Sequence, residues 1–443
     1  MKHQHEIRDP IHVFVRITDE ERMVLDSAPV QRLRHIHQLG MTYLLYPGAT
    51  HRRFEHSLGV MELASRVYDV VTARANFTGE EEEQLPELAD QDKVRYWRQI
   101  VRLGALLHDV GHLPFSHAAE RELLPDDWDH ERLTRTVIES RGMAGIWGRF
   151  TPPVRVQDLV KVAVGQRHAP DLDFTPWESI ASEIIVGDAF GVDRMDYLLR
   201  DSLHLGVAYG RFDHYRLIDT LRIIARTPPS RGPAGAESET VPALGVEDGG
   251  LQTAEALALA RYFMYSQVYF HPVRRAYDEH LKDFLMEWLQ DGHFPIELDE
   301  HLAMTDNEVL AAIRTEAEAG AGAAGEHARR IQEHRHFKAL YIPTHAHLEA
   351  NPKALDVVAE TARLKFGAER VRVCPAPPRA GQTPEFTVRR QDGSVASSVS
   401  LSRVLQQIPI PTTGCVLVAP GQRDEGRRWL SDKQDAILQG ERE

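Results

Sequence analysis

Hydrophobic positions along this chain recur mostly at helical spacing, and the polar, Gly and Pro residues between them mark where elements end. Ile100, Leu103, Leu106 and Leu107 bury one stripe of a helix. Further helical patterns run from about Asp19 to a glycine stop at Gln38-Leu39-Gly40, and from His51–Ser57 through about Ala73. Others cover Val156–Val164, Pro176–Ala189 and Asp193–Asp201, and a long helix starts at Thr253 and carries Tyr262, Tyr265, Tyr269, Arg274, Arg275 and Tyr277. Asp129 is placed to cap a helix that follows it. Strand patterns appear at His12–Ile17, Leu217–Ala225 and Pro242–Val246, the last two joined by a Pro-, Gly- and Ser-rich loop at Thr227–Thr240. Phe77–Asp92, with its four glutamates in a row, reads as a solvated excursion.

Beyond Phe337 the period changes. Strand-like runs at Ala339–Pro343, Arg370–Cys374, Glu385–Arg390 and Cys415–Ala419 alternate with helical patterns at Pro352–Phe366 and Ser400–Gln407. Gly320–Gly325 is a Gly/Ala linker and marks a boundary. The pattern therefore predicts a mainly α-helical domain over residues 1–325 with a short antiparallel β ribbon, and a small α+β domain over 335–443.

Composition sharpens this picture at three points. The 443 residues exceed one ordinary domain, while 42% hydrophobic and 27% charged residues suit a globular protein. A net charge of −14 argues against a basic nucleic-acid-binding surface, so any site for a polyanion must be built from placed cations or a metal. The two cysteines, Cys374 and Cys415, offer neither a disulfide framework nor zinc-finger spacing. With no signal-peptide pattern and no apolar run of membrane-spanning length, a cytoplasmic protein without membrane attachment is expected.

Candidate chemistry is concentrated in Leu103–His117. Out of the apolar stripe come His108 and Asp109, then His112, then His117 beyond Pro114, with Gly111 leaving one side bare and Pro114 expected to end the helix. Burying an imidazole beside a carboxylate is unfavourable unless both are satisfied, and a metal ion satisfies both. Asp193, Tyr197 and Asp201 recur every four residues and share a second helix face. Arg53 and His56 sit at a helix start suited to anions, whereas His51 and Arg52 read as a solvated turn. A metal that activates water wants a few N/O ligands and an open position, and His56, His108, Asp109 and Asp193 are the candidates. Histidines and carboxylates without cysteine suit Fe, Mn, Zn, Ni or Mg alike.

The order His56, His108-Asp109 and a distant Asp193 resembles the signature of the HD-domain metal-dependent phosphohydrolases. The wider set of Gln38-Leu39-Gly40, Arg53-Phe54-Glu55-His56-Ser57, His108–His117, Trp128-Asp129-His130-Glu131 and Asp193–Tyr197 is similar to the deoxynucleoside triphosphate (dNTP) triphosphohydrolases over roughly Asp9–His280. That resemblance implies a helical HD-domain core and cleavage of a dNTP to deoxynucleoside and inorganic triphosphate. His56, His108, Asp109 and Asp193 would hold the metal. His112 would be the catalytic histidine, supported by His130 and by Glu120, which stands where the family has an aspartate. Arg53 and His117 would hold phosphates, joined by Arg194 in place of a family lysine. Gln38, Leu39, Tyr197 and Asp201 would enclose the sugar, with Tyr277 packed where a 2′-hydroxyl would sit.

The resemblance also implies a homo-oligomer, dimer or tetramer, with His5, Asp26, Gln31 and Arg34 binding a GTP or dGTP activator at a subunit interface. Other readings on the same scaffold are a phosphohydrolase of another nucleotide, or a phosphodiesterase or nuclease acting on single-stranded nucleic acid, for which Arg222–Arg231 offers some basic residues. A catalytically silent regulator would need a missing ligand, and none is missing.

Overall fold

The chain begins as an antiparallel ribbon, Gln4–Asp9 against Val13–Thr18, in register from Gln4↔Thr18 to Asp9↔Val13. This is a computed structural model, and it describes residues 4–76, 83–116, 120–226, 241–320, 322–375, 385–409 and 414–439. Thr18 ends the ribbon and opens the helix Asp19–Leu25 through a capping box with Glu21. The single helix expected from Asp19 to Gly40 is instead three short pieces, Asp19–Leu25, Ala28–Arg32 and Leu33–His35. Pro29 is the reason. It has no N–H to give the Leu25 carbonyl, and the Gln31 side-chain amide donates to that carbonyl instead, at 2.7 Å.

Helices Arg53–Val71, Gln91–Leu107, Val156–His168, Pro176–Val186 and Val192–Leu205 pack around one hydrophobic core that includes Leu63, Val67, Ile100, Leu103, Val160, Ile184 and Leu198. Asp90 caps the Gln91–Leu107 helix by accepting from Asp92 N and Lys93 N. Leu85 and Leu88 just before it are buried, so that part of the expected excursion packs; residues 77–82 lie outside the described residues.

Where Arg53–Val71 crosses Val192–Leu205, Gly59 faces a buried ion pair, and a Cβ there would overlap the Asp196 carboxylate and the Arg200 guanidinium. Asp196 accepts from Arg200 Nε at 2.8 Å and Nη2 at 2.9 Å, and from His12 Nε2 at 2.8 Å. Arg200 also donates to Asp9 at 3.0 Å, which ties the N-terminal ribbon to the helical core.

Leu221–Arg226 and Val241–Glu247 pair antiparallel. The strand expected from Leu217 starts only at Leu221, because His214–Thr220 is a helix capped by Asp213. The loop expected at Thr227–Thr240 lies outside the described residues. The long helix expected from Thr253 is broken. Leu251–Met264 passes into a π turn at Tyr265–Tyr269, and Pro272–Trp288 starts anew, with His271 Nδ1 accepting from Val273 N at 3.2 Å. Proline at the first position of the new helix explains the restart.

The expected Gly320–Gly325 linker is a helix–turn–helix. Gly320, at φ +69°, closes Asp306–Ala319, and Gly322–Gln332 follows. These two helices and Pro272–Trp288 share a second core with Leu281, Phe284, Val309, Ile313 and Ile331.

In the C-terminal region, Cys415–Val418 lies between Lys338–Tyr341 and Val371–Cys374, antiparallel to both. Helices Ala354–Phe366 and Arg423–Leu438 pack on this sheet. The Glu385–Arg390 run does not belong to it. Thr387–Arg389 adds in parallel to Val241–Glu247, and Phe386, Val388 and Leu405 join the first core. An open strand edge is thereby covered.

Two predictions follow from this packing. Gly59→Ala should destabilise the fold by about 3–5 kcal/mol, read as a lowered melting temperature, because it disrupts a buried charged network. The second concerns His280, whose Nε2 accepts Phe337 N–H at 3.1 Å and which burial, then the Arg330 charge, push down to about 2. The unfolded chain binds this proton below pH 6.5 and the native state does not, so stability falls as pH drops from 6.5. His280→Gln keeps an acceptor, and should flatten the fall in stability between pH 6.5 and 5 by about 1 kcal/mol per pH unit.

Candidate active site

The Gln91–Leu107 helix stops at Leu107, so His108–Gly111 form a turn rather than continuing as a helix to Pro114. Val110 N bonds Leu107 O at 3.0 Å and His112 N bonds Asp109 O at 3.1 Å, both across three residues. Thr134 Oγ1 satisfies what the turn leaves over, donating to His108 O at 3.1 Å and accepting from Gly111 N at 3.0 Å. A Cβ on Gly111 would overlap the backbone of Leu133–Thr134, so glycine is what lets the His130–Glu139 helix close against the turn.

This turn, the Arg53–Val71 helix and the start of Val192–Leu205 bring His56, His108, Asp109 and Asp193 together. His56 Nε2 lies 3.1 Å from Asp193 Oδ1 and 3.6 Å from Asp109 Oδ2. His108 Nε2 lies 3.5 Å from both Asp109 Oδ1 and Asp193 Oδ1. His108 donates Nδ1–H to Ala105 O at 2.8 Å, so its Nε2 lone pair is aimed at carboxylate oxygens. Acceptors converging on one point fit a cation. His56 Nδ1 is held by Asp196 Oδ2 at 2.9 Å, which directs Nε2 into the cluster.

Burial disfavours charge on His56, but hydrogen bonds to Asp193 and Asp196 overcome it and raise its pKa to about 10, a measure of the negative field there. Burial likewise opposes ionisation of Asp109, and the Arg53 charge followed by His108 and His112 holds it well below the usual carboxylate range. His56, His108 and Asp109 offer ligand atoms close enough to hold a divalent metal together, and Asp193 Oδ1 lies within 3.5 Å of both imidazoles.

Beside the cluster the rings of His112 and His130 stack at 4.0 Å, and His112 Nε2 is 3.2 Å from Asp109 Oδ1. Burial, then the charges of Arg53 and His130, push His112 well below its ordinary pKa. His130 goes the other way. Its burial is outweighed by a 2.7 Å hydrogen bond to Glu120 and by the nearby carboxylates, which raise it to about 9. The expected trio of His112, His130 and Glu120 thus forms one neutral and one charged imidazole anchored by a carboxylate.

Asp109 and Asp193 open on a cavity of about 550 Å³ whose wall also carries Gln38, Leu39, Arg53, His112, His130, Arg194, Tyr197 and Asp201. Arg53 is buried between Asp109 and Ser116, with Nε donating to Ser116 Oγ at 2.8 Å. Arg194 donates to the Gly187 carbonyl at 3.1 Å and to the Asp188 carbonyl. The Gln38 Oε1 is buried without a hydrogen-bond partner among the described residues. Asp201 accepts from His51 Nε2 at 2.7 Å and Tyr269 OH at 2.6 Å. His51 is therefore buried rather than part of a solvated turn, and it stacks on His204. His117 lies outside the described residues.

Tyr277 is not on the cavity wall. It sits in the second core with its hydroxyl 3.0 Å from His334 Nδ1. The break at Pro272 resets the helix phase, so Arg274, Arg275 and Asp278 face the cavity, beside Tyr265, Tyr269 and Phe270 from the π turn. The proline was the available signal for this change. Asp196 and Arg200 carry no site role in the sequence reading, although their i, i+4 spacing on a helix is a signal for pairing.

The activator candidates lie on the surface away from this wall. His5 Nε2 is 2.7 Å from Asp19, Arg22 bridges His5 at 3.3 Å and Asp26 at 3.2 Å, and Arg34 donates to Gln31 at 2.8 Å. The Arg34 guanidinium stacks 3.5 Å over Phe54, the neighbour of Arg53.

Comparison with known proteins agrees with this geometry. Residues 53–172 match the HD domain and 212–367 match the HD associated region. The chain is 33% identical over 290 residues to an uncharacterized protein of Methanocaldococcus jannaschii, an alignment spanning 66% of this chain and 51% of the relative. It is 32% identical over 242 residues to the deoxynucleoside triphosphate triphosphohydrolase SAMHD1 of Danio rerio, covering 48% of this chain and 36% of that enzyme. The chain thus spans about half, or less, of the length of these curated relatives. A crystal structure of a hypothetical protein from Aquifex aeolicus superposes with a TM-score of 0.75 at 30% identity, covering 96% of this chain and all (100%) of the other. Among the described residues no helix is long and apolar enough to cross a membrane. With its clustered His56, His108, Asp109 and Asp193 and these relatives, the chain belongs to the HD-domain family.

Proposed function

We propose that this protein hydrolyses deoxynucleoside triphosphates to deoxynucleoside and inorganic triphosphate. The observation that carries the reading is a shared cavity. Asp109 and Asp193, the His112–His130 pair, Arg53 and Arg194, and Gln38, Tyr197 and Asp201 all open on one space of nucleotide size. His56, His108, Asp109 and Asp193 would hold a divalent ion, which supplies Lewis-acid stabilisation of the phosphate and a lowered pKa for water.

Arg53 and Arg194 neutralise the phosphate tail, a task that matters more in a chain of net charge −14. His112, 3.2 Å from Asp109, would pass a proton to the departing 5′-oxygen, the negative phosphate tail offsetting the His130 charge that otherwise keeps this ring neutral. His130 stays charged against Glu120 and fixes the His112 ring by stacking. Asp201, with one oxygen bonded to His51 and the other to Tyr269, keeps lone pairs for a sugar hydroxyl. With Tyr277 in the second core, the aromatic wall beside the sugar consists of Tyr197, Tyr265 and Tyr269. The compartment we assign is the cytoplasm, in keeping with two free thiols at Cys374 and Cys415.

The same reading includes a GTP or dGTP activator on the surface of His5, Asp26, Gln31 and Arg34, supported by the stacking of Arg34 on Phe54 next to Arg53. The activator would act in a homo-oligomer.

Replacing His108 and Asp109 together by Ala should remove bound metal and all turnover. A metal-free double variant with full activity refutes the site. Hydrolysis in ¹⁸O-water should place the label on triphosphate, as read by mass spectrometry; label on the nucleoside, or accumulating diphosphate, excludes attack at the α-phosphorus. His112→Ala should keep its metal and lose about 10²–10⁴-fold in rate. Adding dGTP should raise both the turnover of a second nucleotide and the molecular mass. Asp26→Ala should abolish both responses while metal content stays unchanged.

A further inference from the structure

The loop that follows the metal-binding turn is held in an unfavourable backbone conformation. Phe115 and Ser116 both have positive φ, +57° and +60°, a region that side chains other than Asn and Asp seldom adopt. Such a conformation persists only where surrounding contacts over-determine it. Here the contacts come from a distant part of the chain. Asp306, at the start of the Asp306–Ala319 helix and 1% exposed, accepts Phe115 N–H on Oδ1 at 2.7 Å. Its Oδ2 accepts both the His37 backbone N–H at 2.7 Å and His37 Nδ1–H at 2.5 Å.

One buried carboxylate thus ties together two walls of the cavity. His37 precedes Gln38. Ser116 Oγ donates to His37 O at 3.0 Å and accepts from Arg53 Nε at 2.8 Å. The path runs from Asp306 through His37 and Phe115 to Ser116, and from Ser116 to the arginine assigned to the phosphates.

We propose that Asp306 is the positioning residue that sets Arg53 for phosphate binding, acting through His37 and the Phe115–Ser116 turn. The proposal rests on the phosphate-binding role given to Arg53 above. Three N–H donors converge on Asp306, and a carboxylate can accept all of them. An asparagine of the same shape cannot, because its amide nitrogen would confront an N–H. Asp306→Asn therefore removes the interaction with little change in volume.

The test is a double-mutant cycle on the metal-loaded full chain, read by calorimetric titration with inorganic triphosphate, which needs no turnover. Asp306→Asn should weaken triphosphate binding about tenfold and raise KM for a dNTP by a similar factor, with a smaller change in kcat and unchanged metal content. Adding Asp306→Asn to Arg53→Ala should weaken binding no further than Arg53→Ala alone. His37→Asn keeps a side-chain donor toward Asp306 and should behave as the unmodified protein, whereas His37→Ala should repeat the Asp306→Asn effect. If Asp306→Asn does not fold, the two His37 variants carry the cycle.

Additive losses, unchanged triphosphate affinity in the Asp306→Asn or His37→Ala variant, or no measurable triphosphate affinity in the unmodified protein overturns the proposal. Failure of the unmodified protein to hydrolyse any dNTP, with triphosphate binding and the cycle intact, overturns the functional reading and leaves the positioning role standing.

Discussion

The buried carboxylate of Asp196 is the interaction on which most of this structure depends. Burying an unpaired carboxylate costs several kcal/mol, and Asp196 is tolerable only because His12, His56 and the Nε–Nη2 edge of Arg200 donate to it. Each partner then constrains something else. His12 and Asp9 anchor the N-terminal ribbon, Arg200 fixes the depth of the Val192–Leu205 helix, and His56 is turned so that Nε2 faces the metal cluster. Gly59 is the geometric condition for all of it, since any side chain there would occupy the space of the ion pair. Metal geometry and fold stability are therefore set by one network rather than by separate devices.

How much of this was legible in the sequence depends on the range of the interaction. The helices of the core follow from periodicity, which residue type and spacing specify locally, whereas the expected grouping of His56, His108, Asp109 and Asp193, and of His112 with His130 and Glu120, comes from the motif resemblance across distant segments. The breaks were less legible. Pro29 and Pro272 both mark an interruption, but the hydrophobic pattern continues across them, and only the side-chain bond from Gln31 and the π turn show how each break is accommodated. Tyr277, expected beside the sugar only from the resemblance, lies instead in the second core against His334. Least legible was the strand Thr387–Arg389. Its alternation fits either sheet, and it pairs with Val241–Glu247, where Phe386 and Val388 join the first core.

Under the proposed function, an acidic chain would have to face a polyanion. Neither Arg53 nor Arg194 projects as an open charge. Arg53 is paired with Asp109, and Arg194 rests on the carbonyls of Gly187 and Asp188. Their orientation is fixed before any ligand arrives, so binding spares the entropy of ordering long side chains. The His112–His130 pair follows the same logic. Stacked at 4.0 Å, two imidazoles resist carrying two charges, and Glu120 decides which of them is protonated.

These arrangements also bear on what the functional unit is. The HD match ends at residue 172, yet the loop carrying His112, Phe115 and Ser116 is held from outside it. Arg32 donates to the carbonyls of both His112 and Met304, at 2.9 Å each, and Asp306 holds Phe115. Arg32 lies before the HD match, while Met304 and Asp306 lie in the associated region. The cavity wall is completed by Tyr265, Tyr269 and Arg274, also from the associated region. A fragment limited to the HD match would retain His56, His108 and Asp109, but would lack Asp193, the clamp on the catalytic loop and half of the cavity. The structural unit is therefore larger than the HD match, because the strained loop inside that match is held by Arg32 before it and by Asp306 in the associated region, while Asp193 lies between the two matches.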